Sequence, residues 1–94
     1  MKSDIENVSE LLVACLDLGL EATLVQTKEI PGQEALCDAD ECFSVAIGRG
    51  DQLALAMGCE NGGFVGDFCA SEQLDADHIS FNAALALIRS ILRV

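Results

Sequence analysis

The sequence predicts an α+β fold: an N-terminal helix, a three- to four-stranded antiparallel β-meander and a C-terminal helix, in the order α-β-β-β-β-α, with the helices packed on a single layer of sheet. Three observations carry that expectation. A capping signature opens an apolar stripe of helical period at the N-terminus. Residues 42–70 alternate with a two-residue period and are cut by turn signals. The final stretch then returns to a helical period. At 94 residues the chain has single-domain length and reads as one domain, 1–94.

The first helix is expected from about residue 4 to 18. Ser3 and Glu6 form a capping box, in which each side chain satisfies a free backbone N–H at the helix start. Ile5, Val8, Leu12 and Leu16 fall on one stripe flanked by Leu11 and Cys15, and Glu6, Glu10 and Asp17 lie opposite. Gly19 supplies a left-handed stop, with Leu20 placed to close the hydrophobic contact of that cap.

Residues 21–28 are rich in β-branched types and read as a strand, ended by Ile30-Pro31-Gly32. Residues 42–48 alternate with Phe43, Val45 and Ile47 on one face. Residues 53–59 alternate again, with Leu53, Leu55, Met57 and Cys59 together. Asn61-Gly62-Gly63 is a hairpin signal, because Asn and Gly tolerate positive φ, and residues 64–70 complete the meander. The closing helix is expected over about 76–93, capped by Asp75 or Asp77. Its apolar arc is Phe81, Ala84, Leu85, Leu87, Ile88, Ile91 and Leu92, and Arg89 and Arg93 sit in its last turns, where cations suit the dipole.

Composition sets the chemistry of core and surface. Hydrophobic residues make up 51% of the chain, with four Phe and no Trp or Tyr, so the core is aliphatic. Sixteen acids against five bases give a formal charge of -11. That balance disfavours nucleic acid as a direct ligand, because phosphate binding is driven by Lys and Arg, and disfavours an anionic membrane surface. It favours a basic protein surface, toward which long-range attraction speeds encounter. The charge is lopsided: residues 29–77 hold eleven acids and one base, for -10, against -3 for residues 1–28 and +2 for residues 78–94.

No signal-peptide pattern and no apolar run of about 18 residues is visible. A cytoplasmic setting is expected, and the five cysteines read as reduced thiols. Cys37, Cys42, Cys59 and Cys69 could in principle supply zinc with thiolates. Their gaps of four, sixteen and nine residues do not match the tight pairs of structural zinc sites, so no metal or other cofactor is expected. Asp38, Asp40 and Glu41 lack the alternate-position register and central Gly of a calcium loop. His78, the only histidine, has no local partner that would make it a catalytic base, and no phosphate-loop pattern is present. No catalytic residue is therefore assigned. The outline of the element order resembles double-stranded-RNA-binding domains, but the stretch Leu74-Asp75-Ala76-Asp77-His78 carries the wrong charge where such domains present Lys, and that function is rejected.

Two candidate surfaces remain. The partner-binding acids are Glu34, Asp38, Asp40, Glu41, Asp51, Glu60, Asp67 and Glu72. The second surface is the small-residue face of the meander, Ser44, Ala46, Ala54 and Ala56, where a solvated strand face ordinarily carries charged or Thr-like residues; such small residues suit either close packing of another element on that side or an interface. The expectation is a non-enzymatic interaction module, a small acidic inhibitor engaging the nucleic-acid-binding surface of another protein. Small acidic proteins of similar build include phage-encoded anti-defence inhibitors, anti-CRISPR proteins among them. The alternatives are a homodimeric structural, chaperone-like or immunity protein using the small-residue face, and a small zinc-binding domain.

Overall fold

The computed structural model describes residues 3–30, 42–48, 52–70, 74 and 76–94. It has an N-terminal helix α1 (Asp4–Asp17), strand β1 (Ala22–Gln26) running into a 3₁₀ turn (Thr27–Glu29), strands β2 (Phe43–Ile47), β3 (Leu55–Glu60) and β4 (Gly63–Cys69), and a C-terminal helix α2 (Phe81–Leu92). The strands form one antiparallel sheet in the order β1-β2-β3-β4. The fold class expected from the sequence is the one observed.

Local chemistry explains the ends of α1. Ser3 accepts from the Glu6 N–H while the Glu6 carboxylate accepts from the Ser3 N–H, completing the capping box. At the other end Gly19 has φ +81°, its N–H bonds the Leu16 carbonyl, and the Leu20 N–H reaches back to Cys15. That pair of bonds is the Schellman arrangement, which satisfies carbonyls the helix would otherwise leave open. At the β3–β4 hairpin Asn61 (φ 52°) and Gly62 (φ 85°) take the two left-handed positions whose twist suits a two-residue turn.

Both helices lie on one face of the sheet. Val8, Leu11 and Cys15 of α1 and Ala84 and Ile88 of α2 pack with Ala22, Val45, Ile47, Leu55, Met57 and Phe64 in a single core. This corrects the expected orientation of α1. Its buried line is Val8–Leu11–Cys15, whereas Ile5 is 38% and Leu16 50% exposed. The apolar surface of the helix is wider than the sheet beneath it can cover.

The second helix also differs from expectation. It begins at Phe81, five residues later than the sequence suggested, with Ser80 as its cap: the Ser80 hydroxyl accepts from the Ala83 N–H at 3.2 Å. The preceding residues serve the sheet instead. Ile79 pairs with Phe64 through two backbone bonds, and the Gly66 N–H bonds the Ala76 carbonyl, so this stretch covers the edge of β4. Gly63 permits the approach, since a Cβ there would lie 2.6 Å from the His78 Cα. His78 takes φ 55°, which prevents a helix from running through it. Asp77 therefore caps nothing; its carboxylate bonds the His78 ring. Asp75 lies outside the described residues.

A bulge in β4 re-aims the strand. Met57 faces Gly66 but Ala56 faces Phe68, so the register passes over Asp67. An extra residue of this kind flips the alternation that follows. Cys69 accordingly stands opposite Leu55 and packs against the core, not on the face shared by Val65 and Asp67 where simple alternation places it. No described helix is long and apolar enough to cross a membrane.

Candidate functional site

Three polar constellations stand out among the described residues. The first lies on the sheet face away from the helices. Thr27 Oγ1 and Ser44 Oγ are 2.8 Å apart, and Ser44 Oγ donates to Asp67 Oδ2 at 2.5 Å. Gly58 makes room for this chain, because a Cβ there would lie 2.8 Å from the Asp67 carboxylate and 3.0 Å from the Ser44 hydroxyl. Burial pushes the Asp67 carboxyl above its ordinary range; the Ser44 hydroxyl opposes that rise and the nearby charge of Glu60 adds to it. Ser44 is fully buried, so its hydroxyl has no route to a substrate. The group fastens the turn after β1 to β2 and β4.

The second constellation joins α1 to the β3–β4 hairpin. Asp4 Oδ1 accepts from the Gly62 N–H at 3.0 Å and Oδ2 from the Asn61 N–H at 3.1 Å. The left-handed turn points two N–H groups outward, an anion-binding concavity that the chain fills with its own carboxylate. The Gly62 N–H is the main cause of the lowering of the Asp4 pKa. The Cys59 thiol donates to Asp4 at 3.4 Å and accepts from the Asn7 amide at 3.6 Å. Burial, then the Asp4 hydrogen bond, push the Cys59 thiol upward. The thiolate is the nucleophilic form, so this environment disfavours the reactive state of Cys59.

The third holds His78. Its Nδ1 lies 2.6 Å from Asp77 Oδ1 and its Nε2 3.8 Å from Glu60 Oε2, in an exposed setting. An imidazole between two carboxylates is oriented, but nucleophile activation requires a hydroxyl or thiol within reach, and none of its described partners is one.

The acids expected to bind a partner are distributed unevenly with respect to this geometry. Glu34, Asp38, Asp40, Glu41, Asp51 and Glu72 lie outside the described residues. Glu60 is exposed at the end of β3. Asp67 turns toward Ser44, and its bulge position removes it from the set of simple surface charges. Most of the small-residue face is covered, in keeping with close packing on that side of the meander. Ser44, Ala46 and Ala56 are 0%, 5% and 0% exposed within the single chain, and Ala54 packs partly against the core. Thr27, which bonds Ser44, and Ile30 are buried too. The small side chains of Ser44, Ala46 and Ala56 thus answer close coverage within the chain, while Ala54 keeps part of its surface exposed.

The thiols also divide. Cys42 is disulfide-bonded, which corrects the reading of all five as reduced, while Cys15, Cys59 and Cys69 remain thiols. A disulfide sulfur is not a thiolate ligand, and no group of three or more candidate metal ligands assembles among the described residues. Cys37 lies outside them.

Sequence reasoning missed one exposed feature on α1. Val13 is 56% exposed and stands with Ile5 and Leu16 on the outer side of the helix. Their spacings of three, eight and eleven residues are the available signal, since they continue the apolar arc past the width that a helix buries against a sheet. Set against known proteins, the chain matches no family, no curated protein and no solved structure.

Proposed function

We propose that this protein is a non-enzymatic interaction module whose acidic surface engages a basic, nucleic-acid-binding surface of another protein, in the manner of a small anti-defence inhibitor. The observation that carries the reading is the charge map: -11 overall, with -10 gathered in residues 29–77 and +2 in residues 78–94. Such asymmetry orients the molecule in the field of a cationic partner and accelerates encounter. Two of the three polar constellations, Thr27–Ser44–Asp67 and Asp4 with the Asn61-Gly62 turn, join separate elements of the fold, which gives those groups a structural role.

Affinity capture from a native lysate at low and at high salt tests the proposal. The expected result is a basic protein that is retained at about 0.05 M NaCl, released well below about 1 M, and displaced by heparin, because screening at that strength reaches within about 3 Å. Capture that survives high salt and heparin unchanged contradicts the electrostatic mechanism.

A further inference from the structure

Helix α1 carries more apolar surface than the fold uses. Val8, Leu11 and Cys15 are buried, yet Val13, Leu16 and Ile5 remain 56%, 50% and 38% exposed. Residues three and four apart are neighbours on a helix surface. Ile5, Ser9, Val13 and Leu16 therefore form one continuous line, and Glu6, Glu10 and Asp17 form a second line directly beside it. The helix contains no Lys or Arg. An apolar line bordered by a row of acids is the complement of a helix with an apolar face bordered by bases.

We infer that the outer face of α1 is a docking surface for a cationic amphipathic helix, whose apolar side chains cover Ile5, Val13 and Leu16 while its Lys or Arg residues meet Glu6, Glu10 and Asp17. The inference rests on the proposal of a basic partner and adds a contact on α1, outside the residues 29–77 whose charge carries that proposal. Charge selects this occupant over a second copy of the chain. Two α1 helices laid together would set acids against acids, and the exposed positions of α2 offer Asn82, Ala83, Ala86, Arg89 and Ser90, with no apolar line to match. Fourteen residues of helix present a line about 20 Å long, enough for three to four turns of a partner.

The test uses the full chain and an amidated Leu/Lys peptide with Leu at the a and d positions of each heptad and Lys elsewhere, alongside a scrambled peptide of the same composition. Calorimetry should show salt-sensitive binding of the patterned peptide and at least about tenfold weaker binding of the scramble. The double variant Val13→Ser, Leu16→Ser should lose about tenfold, the loss expected from uncovering two half-exposed aliphatic side chains. Asp17→Asn should weaken binding severalfold without harming the helix, since an acid near a helix C-terminus opposes the dipole. Amide shift changes should fall on Ile5–Asp17.

Equal binding of both peptides, unmoved by the α1 variants but weakened by Asp38→Asn, Asp40→Asn, Glu41→Gln, overturns the α1 site while leaving the basic-partner proposal standing. Binding that is lost in the α1 variants yet indifferent to salt sinks the basic-partner proposal and the cationic identity of the occupant together. No binding of the patterned peptide, or a native dimer mass that falls to a monomer in Val13→Ser, Leu16→Ser, overturns the inference in favour of no helix or of a second copy.

Discussion

Two carboxyls of this protein respond to pH in opposite directions, because each sits in the kind of environment that decides its sign. Asp4 accepts two backbone N–H groups at the tip of the β3–β4 hairpin, and its pKa is lowered, most strongly by Gly62. A lowered folded pKa gives stability that is present above the unfolded value of about 3.9 and is lost as pH falls through the folded one. Asp4→Asn keeps one acceptor oxygen and loses the other. It should cost about 1 kcal/mol at pH 7, and the difference from the parent should vanish in acid once the parent carboxyl protonates. Urea titrations across that range measure it, and a cost independent of pH would show that shape, not charge, holds the hairpin tip. Asp67 has the reverse sign: burial raises its pKa, so its favourable contribution is present below the unfolded value and is lost as pH rises through the folded one. Asp67→Asn should therefore gain relative to the parent as pH rises from the unfolded value of about 3.9 through the raised folded one. A relative loss over that interval would mean that the ionised carboxylate is the form the fold wants.

The elements of this fold differ in how openly the sequence declares them. Helix α1 was legible at both ends because its signals are local: a capping box is complete within four residues, and Gly19 with Leu20 closes the Schellman bonds within the last turn. The Asn61-Gly62 turn is legible for the same reason. Helix α2 was misread at its start because the competing interaction is tertiary. Acids at 75 and 77 suit the first turn of a helix, but pairing of Ile79 with Phe64 holds the backbone extended beside β4. Ser80 gives a weaker signal, lacking the Glu or Gln three residues on that would complete a box. The bulge at Asp67 was only faintly signalled, by Gly66 inside the strand and by the adjacent apolar pairs Phe64-Val65 and Phe68-Cys69, which interrupt a two-residue period. Ser80→Ala should cost about 1 kcal/mol and reduce helicity by circular dichroism, whereas Asp77→Ala should leave helicity unchanged. Equal effects of the two variants would restore the earlier helix start.

At the scale of the whole molecule, charge was legible and coverage was not. A charge count requires no fold, so the acidic middle could be read directly from the chain. Whether Ser44, Ala46 and Ala56 meet solvent depends on what folds over them, and their smallness suits a closely covered face as well as an open interface. The exposed line on α1 was hidden for a related reason, because a helical period shows which residues share an arc but not how much of that arc a sheet covers. The net charge of -11 has a consequence for stability as well as for binding. The protein measures 32 × 32 × 21 Å, and screening reaches about 30 Å at 0.01 M salt but about 3 Å at 1 M. At low salt every acid thus repels the others across the molecule, and folding concentrates that repulsion. Added NaCl should raise the urea midpoint between about 0.01 M and 0.5 M and then level off as the screening length falls to the spacing of neighbouring charges. Salt should therefore strengthen the fold while weakening its hold on a basic partner. A midpoint that falls with salt would mean that close acid–base pairs outweigh the repulsion, which the sparse bases of residues 29–77 make hard to arrange.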